Sequence, residues 1–180
     1  MNNSVTEIRL AGFGGQGVVL AGVLLGRAAL EDGMHAVQNQ SYGAEARGGA
    51  ARSEVIIATE PIIYPEVTAP HVMVALSQAA LDRYVADLRP DGTLIVDDEL
   101  VARLPADASH RILGCSFTRI ATTELERGIV ANMVMLGYLA RATGVVSLEA
   151  LHRAVPGGVP SGTEALNVRA IDRGAALVND

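Results

Sequence analysis

The chain has 180 residues, of which 49% are apolar and only 3% aromatic, and its formal net charge at pH 7 is −6. This length supports one domain, and the aliphatic composition is typical of a parallel sheet covered by helices. The acidic balance argues against nucleic acid as a partner. All fourteen basic residues are Arg, and the absence of Lys excludes Schiff-base enzymes and P-loop nucleotidases.

The sequence contains no recognisable targeting signal and only one cysteine. The longest uninterrupted apolar stretch, near residues 18–25, is too short to cross a bilayer, and residues 1–7 lack the regions of a signal peptide. We therefore expect a cytoplasmic protein without a membrane partner. The single cysteine, Cys115, excludes an internal disulfide and a cysteine-ligated cluster held by this chain alone. It follows a short apolar run, which favours a buried thiol at a strand end over a reactive one.

Apolar periodicity and turn residues divide the chain into strands and helices. In chain order they predict a strand at residues 7–11, a helix at 15–32, strands at 35–40, 52–58 and 71–76, a helix at 78–88, a strand at 93–96, a helix at 99–104, a strand at 111–114, and helices at 129–142, 147–155 and 161–178. Gly33 and Gly144 are expected to end helices, and Ser77 to cap one. Thr123 and Ser161 each precede a Glu by three residues, and we expect both to open helices. The sum is one α/β domain over residues 1–180, with an open, mostly parallel sheet flanked by helices and a helical C-terminal third.

A glycine-rich turn links the first strand to the first helix. Its sequence fits G-x-G-x-x-G in the strand-turn-helix context that this motif requires. Glycines allow a sharp turn and leave amide N–H groups at a helix N-terminus, an arrangement that suits an anion such as phosphate. The candidate binding residues here are Gly12, Gly14, Gly15, Gln16 and Gly17.

The dinucleotide interpretation of this turn meets a difficulty. A Rossmann domain places an acidic residue at the end of the second strand, where it binds the ribose. Here that strand ends in amides, and Glu31 and Asp32 precede Gly33, so they are expected to end the helix instead. Binding of a phosphate-bearing ligand other than NAD is therefore favoured as much as binding of NAD. The third alternative is a tight turn that binds no ligand.

A second loop begins after residue 40, where the apolar spacing fits neither a strand nor a helix. Loops at the carboxyl ends of strands line one crevice in a doubly wound sheet, so this loop is expected to face the glycine turn. Arg47 and Arg52 could donate forked hydrogen bonds to phosphate or carboxylate. The alternative is that Glu45 pairs with one of them and only orders the loop. The candidate binding residues are Ser41, Tyr42, Arg47, Gly48, Gly49 and Arg52.

Catalytic and metal-binding patterns are hard to find. The four histidines are scattered through the sequence, and G-x-S-x-G does not occur. Asp97 and Asp98 follow a strand, and we interpret them as turn and cap residues of the 99–104 helix rather than metal ligands. We therefore predict neither a catalytic residue nor a metal site in this chain.

Two stretches together resemble a known family. Residues 8–18 (IRLAGFGGQGV) and 40–54 (QSYGAEARGGAARSE) resemble the gamma subunit of 2-oxoacid:ferredoxin oxidoreductases, and residues 132–137 (NMVMLG) match a further segment. The similarity spans nearly the whole chain and is closer to the 2-oxoglutarate branch than to the pyruvate branch. Ala44 stands where many relatives have proline.

The resemblance implies a supporting subunit. Members of the family decarboxylate a 2-oxoacid on thiamine diphosphate, pass electrons through iron–sulfur clusters to ferredoxin and form an acyl-CoA. Thiamine diphosphate, Mg²⁺ and the clusters are then expected on alpha and beta subunits, with a ferredoxin-like delta subunit as a further candidate partner. The resemblance also implies that this chain helps to bind or admit CoA. We hypothesise that the CoA-facing crevice is shaped by Gly14, Gly15, Gln16, Arg47, Gly48 and Arg52.

Two other functions stay open at this point. One is a free-standing NAD(P)-dependent oxidoreductase of Rossmann type. The other is a purely structural scaffold subunit of the same complex, with no ligand contact.

Overall fold

A six-stranded sheet with helices on both faces forms the body of the protein. The computed structural model describes residues 5–42, 50–106 and 109–178. The strands are β1 (Val5–Phe13), β2 (His35–Tyr42), β3 (Ala50–Ala58), β4 (Val72–Ala75), β5 (Thr93–Asp97) and β6 (Arg111–Cys115). The helices are α1 (Val18–Glu31), α2 (Gln78–Tyr84), α3 (Phe117–Thr123), α4 (Ala131–Thr143), α5 (Leu148–Ala154) and α6 (Glu164–Ala175), with 3₁₀ turns at Val85–Asp87 and Gly128–Val130. Among the described helices, none has the length and apolar character that crossing a lipid bilayer requires.

The strand order is β2-β3-β1-β4-β5-β6. β1, β4, β5 and β6 run parallel to one another, whereas β3 is antiparallel to both β1 and β2. The predicted α/β class with an open, mostly parallel sheet is therefore confirmed. The insertion of β3 between β1 and β2 was not predicted, because strand pairing depends on contacts between distant residues.

The two faces of the sheet are covered differently. Successive side chains of a strand point to opposite faces, so Val74 of β4 packs with α1 and α4, while its neighbour Met73 packs with α2. Helices α1, α3, α4, α5 and α6 share the first core, and α2 belongs to the second. α1 follows β1 and α2 follows β4, and these two parallel strands are neighbours. Their connections leave toward opposite faces, which opens a crevice at the carboxyl ends of β1 and β4.

Several predicted helix boundaries are confirmed and others are wrong. Gly144 ends α4 in the left-handed conformation (φ 67°), and Ser77 caps α2 by accepting a hydrogen bond from Ala80 N–H at 3.2 Å. The predicted helix at 99–104 is absent, since these residues form turns and loop. Thr123 ends α3 instead of opening a helix, and α6 takes Thr163 rather than Ser161 as its N-cap.

A close contact between two glycines joins α4 to α6. A Cβ atom on Gly137 of α4 would overlap the carbonyl oxygen of Ile171, and one on Gly174 of α6 would overlap the carbonyl oxygen of Val134. The two backbones therefore touch directly. Close packing of this kind tolerates little added volume, because the neighbouring atoms are helix backbone that cannot move aside.

We expect Gly137→Ala to lower the free energy of unfolding by about 2–3 kcal/mol, since the added methyl forces α4 away from α6. The measurement is chemical denaturation of the purified chain. Gly26→Ala in α1 is the matched control, because its Cβ would meet only Ala36 and Gln38 at 3.9 Å. It should leave stability unchanged or raise it by up to about 1 kcal/mol through helix propensity. Equal stability of the two variants would contradict this packing argument.

Candidate functional site

The glycine loop between β1 and α1 turns through left-handed conformations that favour glycine. Gly15 has φ 98° and Gly17 has φ 70°, and Gln16 N–H donates to Phe13 O at 3.2 Å to close the turn. α1 begins at Val18 without a side-chain cap and without an acidic residue in its first turn. The amide N–H groups of that turn and the positive end of the helix dipole are therefore available to an anion.

Two amide side chains hold the loop in place. Gln16 Oε1 accepts a hydrogen bond from Phe13 N–H at 2.6 Å, and its Nε2 donates to Leu76 O, just after β4, at 2.8 Å. Asn132, which is 3% exposed, donates from Nδ2 to Gly17 O at 3.2 Å. A Cβ on Gly17 would overlap this Asn132 amide. The loop is thus tied to β4 on one side and to α4 on the other.

The crevice at the ends of β1 and β4 has a volume of about 330 Å³ and is lined by Gly15, Gln16, Leu76, Asp97, Leu100, Phe117, Thr118, Gly128, Ile129 and Ala131. An adjoining, more apolar pocket of about 270 Å³ shares Gly15 and Ile129 with it and extends toward Leu20 and Leu166. Ile129 is 81% exposed between the two. Cβ atoms on Gly14 or Gly15 would meet nothing within 4 Å, so the surface over the loop is open.

The acidic residue in the crevice has a structural role. Asp97 is fully buried, and its Oδ2 accepts hydrogen bonds from the amide and hydroxyl of Thr118 at 2.9 and 2.7 Å. Its Oδ1 accepts from Glu99 N–H at 3.2 Å, and Asp98 accepts from Ser116 Oγ at 2.5 Å. Asp97 therefore binds the first turn of α3 and closes the turn at Glu99, while Asp98 binds the side chain of Ser116, the residue that precedes α3. Across the described residues, no group of three or more His, Cys, Asp or Glu side chains could hold a metal ion.

The second loop starts and ends at the same edge of the sheet as the glycine loop. In the strand register, Phe13 lies beside Ala50 and Tyr42 lies beside Ala51. Ser41 is exposed near the end of β2. Three predicted site residues of this loop, Arg47, Gly48 and Gly49, lie outside the described residues, together with Glu45 and the side chain of Tyr42.

Arg52 lies on the opposite face of the sheet from α1. It alternates along β3 with Ser53, which contacts α1, and its guanidinium carbon lies 5.7 Å from the centre of the Tyr84 ring. Its Nε is 3.8 Å from Glu54 Oε2. With Ser41 it lines a separate polar cavity of about 510 Å³. The structure therefore does not bring Arg52 and Ser41 together with Gly15 and Gln16.

The single cysteine is buried at the end of β6, as predicted. Cys115 is 9% exposed, and this burial, with the nearby carboxylates of Asp98 and Asp97, raises the pKa of its thiol to about 11. A thiol of this kind is almost entirely protonated at neutral pH, and nucleophilic chemistry requires the thiolate.

The two acidic residues considered for ribose binding lie at the far end of α1. Asp32 accepts hydrogen bonds from the amide and hydroxyl of Ser147 at 2.7 Å each, and Glu31 pairs with Arg153 at 3.0 Å. Both tie α1 to α5 and its N-cap. Because β3 also separates β2 from β1, the geometry does not favour the dinucleotide interpretation.

Fold and site together define an α/β subunit with an open, glycine-lined crevice. The crevice lies between β1 and β4, whose following connections leave toward opposite faces of the sheet. A sequence model of the family described as pyruvate ferredoxin/flavodoxin oxidoreductase matches residues 7–177, and the chain belongs to this family. It is 51% identical to the 2-oxoglutarate synthase subunit KorC of Methanocaldococcus jannaschii, over 97% of this chain and 94% of the relative.

Two solved structures share the fold. The gamma subunit of the keto/oxoacid ferredoxin oxidoreductase from Geobacter sulfurreducens has a TM-score of 0.84 at 44% identity, with 94% of this chain and 95% of that one covered. The 2-oxoglutarate:ferredoxin oxidoreductase of Magnetococcus marinus has a TM-score of 0.83 at 24% identity; the match covers 96% of this chain but 31% of that longer one. The chain is a gamma-type subunit of a multi-subunit oxidoreductase, as the sequence resemblance implied.

Gly17→Ala should lower the thermal unfolding temperature of the isolated chain by several degrees, because its φ of 70° disfavours a side chain and its Cβ would displace Asn132. Gly14→Ala is the matched control: open space surrounds its Cβ, so the unfolding temperature should stay within about one degree. Calorimetry of both variants measures this difference. A stable Gly17→Ala would show that Asn132 does not fix the loop.

Cys115 should react slowly with iodoacetamide in the native protein. With a pKa of about 11, roughly one thiol in a thousand is ionised at pH 8. The rate should rise about tenfold per pH unit from pH 8 to 10, and unfolding in denaturant should remove the protection. Mass spectrometry of the alkylated chain measures the rate. A native rate equal to that of a free thiol would contradict the burial.

Proposed function

We propose that this chain serves a 2-oxoglutarate:ferredoxin oxidoreductase and that its glycine loop faces CoA during acyl transfer. The substrate follows from the KorC relative, a 2-oxoglutarate synthase subunit that is 51% identical over nearly the whole chain. The Magnetococcus enzyme, which shares the fold, is described with 2-oxoglutarate, CoA and succinyl-CoA bound. CoA carries a diphosphate, which is the kind of ligand that the glycine turn favours.

The observation that carries the proposal is the open space above Gly14 and Gly15, beside the uncapped start of α1. The N–H groups at this helix end suit a diphosphate, because the charge is met by hydrogen bonds and by the helix dipole together. The Asp97 carboxylate accepts hydrogen bonds from the amide and hydroxyl of Thr118 and from the Glu99 amide, which stabilise its negative charge. The apolar pocket beside Ile129 offers room for the uncharged part of the same ligand.

The second loop completes this cradle in our proposal. The strands on either side of it end at the same sheet edge as Phe13, which places its first and last described residues near the glycine loop. We expect Arg47 to pair with phosphate. We expect Gly48 and Gly49 to let the loop backbone approach the ligand closely. Arg52 and Ser41 reach the other face of the sheet, so we assign them a positioning role at most.

The reactive groups are supplied by other subunits. Thiamine diphosphate with Mg²⁺ would supply the decarboxylation chemistry there, and iron–sulfur clusters would supply electron transfer to ferredoxin. We place these groups on alpha, beta and delta partners. The crevice of this chain is lined by the glycine loop and by apolar side chains, while Gln16, Asp97 and Thr118 in its wall already bond to other protein groups; such a surface suits binding and orientation of a ligand. In the Magnetococcus protein the same fold makes up 31% of a longer chain, which supports an intimate contact with the rest of the enzyme.

Gly14→Leu in the assembled enzyme should raise the KM for CoA at least tenfold and change kcat at saturating CoA by less than twofold. The side chain fills the open space where CoA is expected without disturbing the fold. Steady-state kinetics with varied CoA, at saturating 2-oxoglutarate and ferredoxin, measure both constants. Arg47→Ala is expected to act in the same direction.

Glu149→Leu is the control, since it adds an exposed leucine on α5, away from the crevice. Assembly of each variant is checked by gel filtration. If Gly14→Leu weakened assembly but left the KM for CoA unchanged, the chain would be a scaffold rather than part of the CoA site. If the isolated chain bound NADH tightly by fluorescence titration, the free-standing dehydrogenase would be favoured instead.

A further inference from the structure

An exposed apolar surface lies at the edge of the sheet opposite the crevice. The chain leaves β3 after Ala58, beside the start of β1, and runs through residues 59–70 before β4. Within this segment Ile63 is 95% exposed and Tyr64 is 68% exposed. Val5 of β1, 40% exposed, lines the same depression of about 260 Å³ as these two side chains. Burying such side chains on a partner is favourable, and contiguous exposed apolar surface marks interaction sites.

The second half of the segment, from Pro65 to Ala69, is hydrogen-bonded to side chains of β1 and β2. Asn39 Nδ2 donates to Pro65 O at 2.6 Å, and the Glu7 carboxylate accepts hydrogen bonds from Thr68 N–H and Ala69 N–H at 3.1 Å each. The buried guanidinium of Arg9, fixed by Glu54 and Asp87, lies 3.5 Å from Val67 O. A surface ordered in advance loses little conformational entropy when a partner binds, which makes exposed side chains on it effective contact residues.

The charge around this surface selects the kind of partner. Residues 59–70 contain Glu60 and Glu66 and no basic residue, and Glu66 accepts a hydrogen bond from the Tyr64 hydroxyl at 2.9 Å. That hydrogen bond to a carboxylate raises the pKa of Tyr64, so the phenol stays protonated and neutral. In a symmetric contact between two copies, the same acidic rim would face itself, which is unfavourable. A different protein with basic side chains around an apolar pocket fits this surface.

We propose that residues 61–66 form a docking surface for another subunit of the same oxidoreductase, one that receives Ile63 and Tyr64 in an apolar pocket with a basic rim. This inference rests on the proposed function, since it requires the complex. It adds a second contact surface, at the edge of the sheet away from the glycine loop. Assembly and CoA binding would then depend on different residues of this chain. Aromatic and aliphatic anchors surrounded by polar groups are the residues that dominate such interfaces.

The test is a titration of this chain into the remaining subunits of the complex, followed by gel filtration and interferometry. Ile63→Arg should weaken binding at least tenfold, because it removes the apolar contact and brings a like charge to the basic rim. Leu30→Arg is the matched control, since Leu30 is 59% exposed at the end of α1 and should leave the affinity unchanged. Both isolated variants should unfold at the temperature of the unchanged chain.

A second pair of variants tests the charge argument. Glu60→Arg should weaken binding severalfold and reduce the salt dependence of the affinity. Glu149→Arg makes the same change in net charge at an exposed position of α5 and should have neither effect. Equal affinity of Ile63→Arg and Leu30→Arg would overturn this docking surface and leave the proposed function intact. A homodimer of the isolated chain that Ile63→Arg dissociates would also overturn it. If the unchanged chain failed to join the complex at all, the proposed function itself would fall.

Discussion

The hydrogen bond from Asn132 to Gly17 is the contact on which the site depends. It joins a buried amide of α4 to the residue just before α1, so the helical C-terminal third fixes a turn formed in the first twenty residues. The contact exists because Gly17 has no side chain and takes a left-handed φ of 70°. Gln16 adds the second constraint by donating to Leu76 at the end of β4. A loop held from two sides keeps its amide groups aimed at one place, which a binding site requires.

The position of Asn132 depends in turn on how α4 packs. α4 lies directly against α6, because Gly137 and Gly174 let the two helix backbones touch. Movement of α6 would therefore shift α4 and the Asn132 amide with it. This series of contacts connects the far end of the chain to the crevice.

The sequence predicted much of this structure and missed particular parts for physical reasons. The strands, α1 and the glycine turn carry their information locally, in apolar periodicity and in glycine placement. The helix expected at 99–104 does not form, and Asp97 and Asp98 instead accept hydrogen bonds from Thr118 and Ser116 at the start of α3, about twenty positions away in sequence. The short α3 was missed because these same distant contacts stabilise its start. No local pattern reports such contacts.

The candidate site was predicted in part. Gln16 and the glycines lie at the turn that the motif indicates. Asn132 is the only polar residue among the first seven residues of α4, and this is the signal that identifies it. The expected contact of Arg52 with the glycine loop is not observed, because Arg52 and Glu54 alternate along β3 with Ser53 and Val55, which face α1. Which face each residue takes depends on the placement of β3 between its neighbours, and the sequence alone did not reveal this placement.

The central claim is that the glycine loop is a preformed cradle for CoA, completed by the other subunits. Hydrogen exchange measured by mass spectrometry on the assembled enzyme, with and without CoA, tests it most directly. The account predicts slower exchange on addition of CoA in peptides covering residues 14–20, and no change in peptides covering residues 59–70. Unchanged exchange at 14–20, together with CoA-dependent protection elsewhere in this chain, would contradict it.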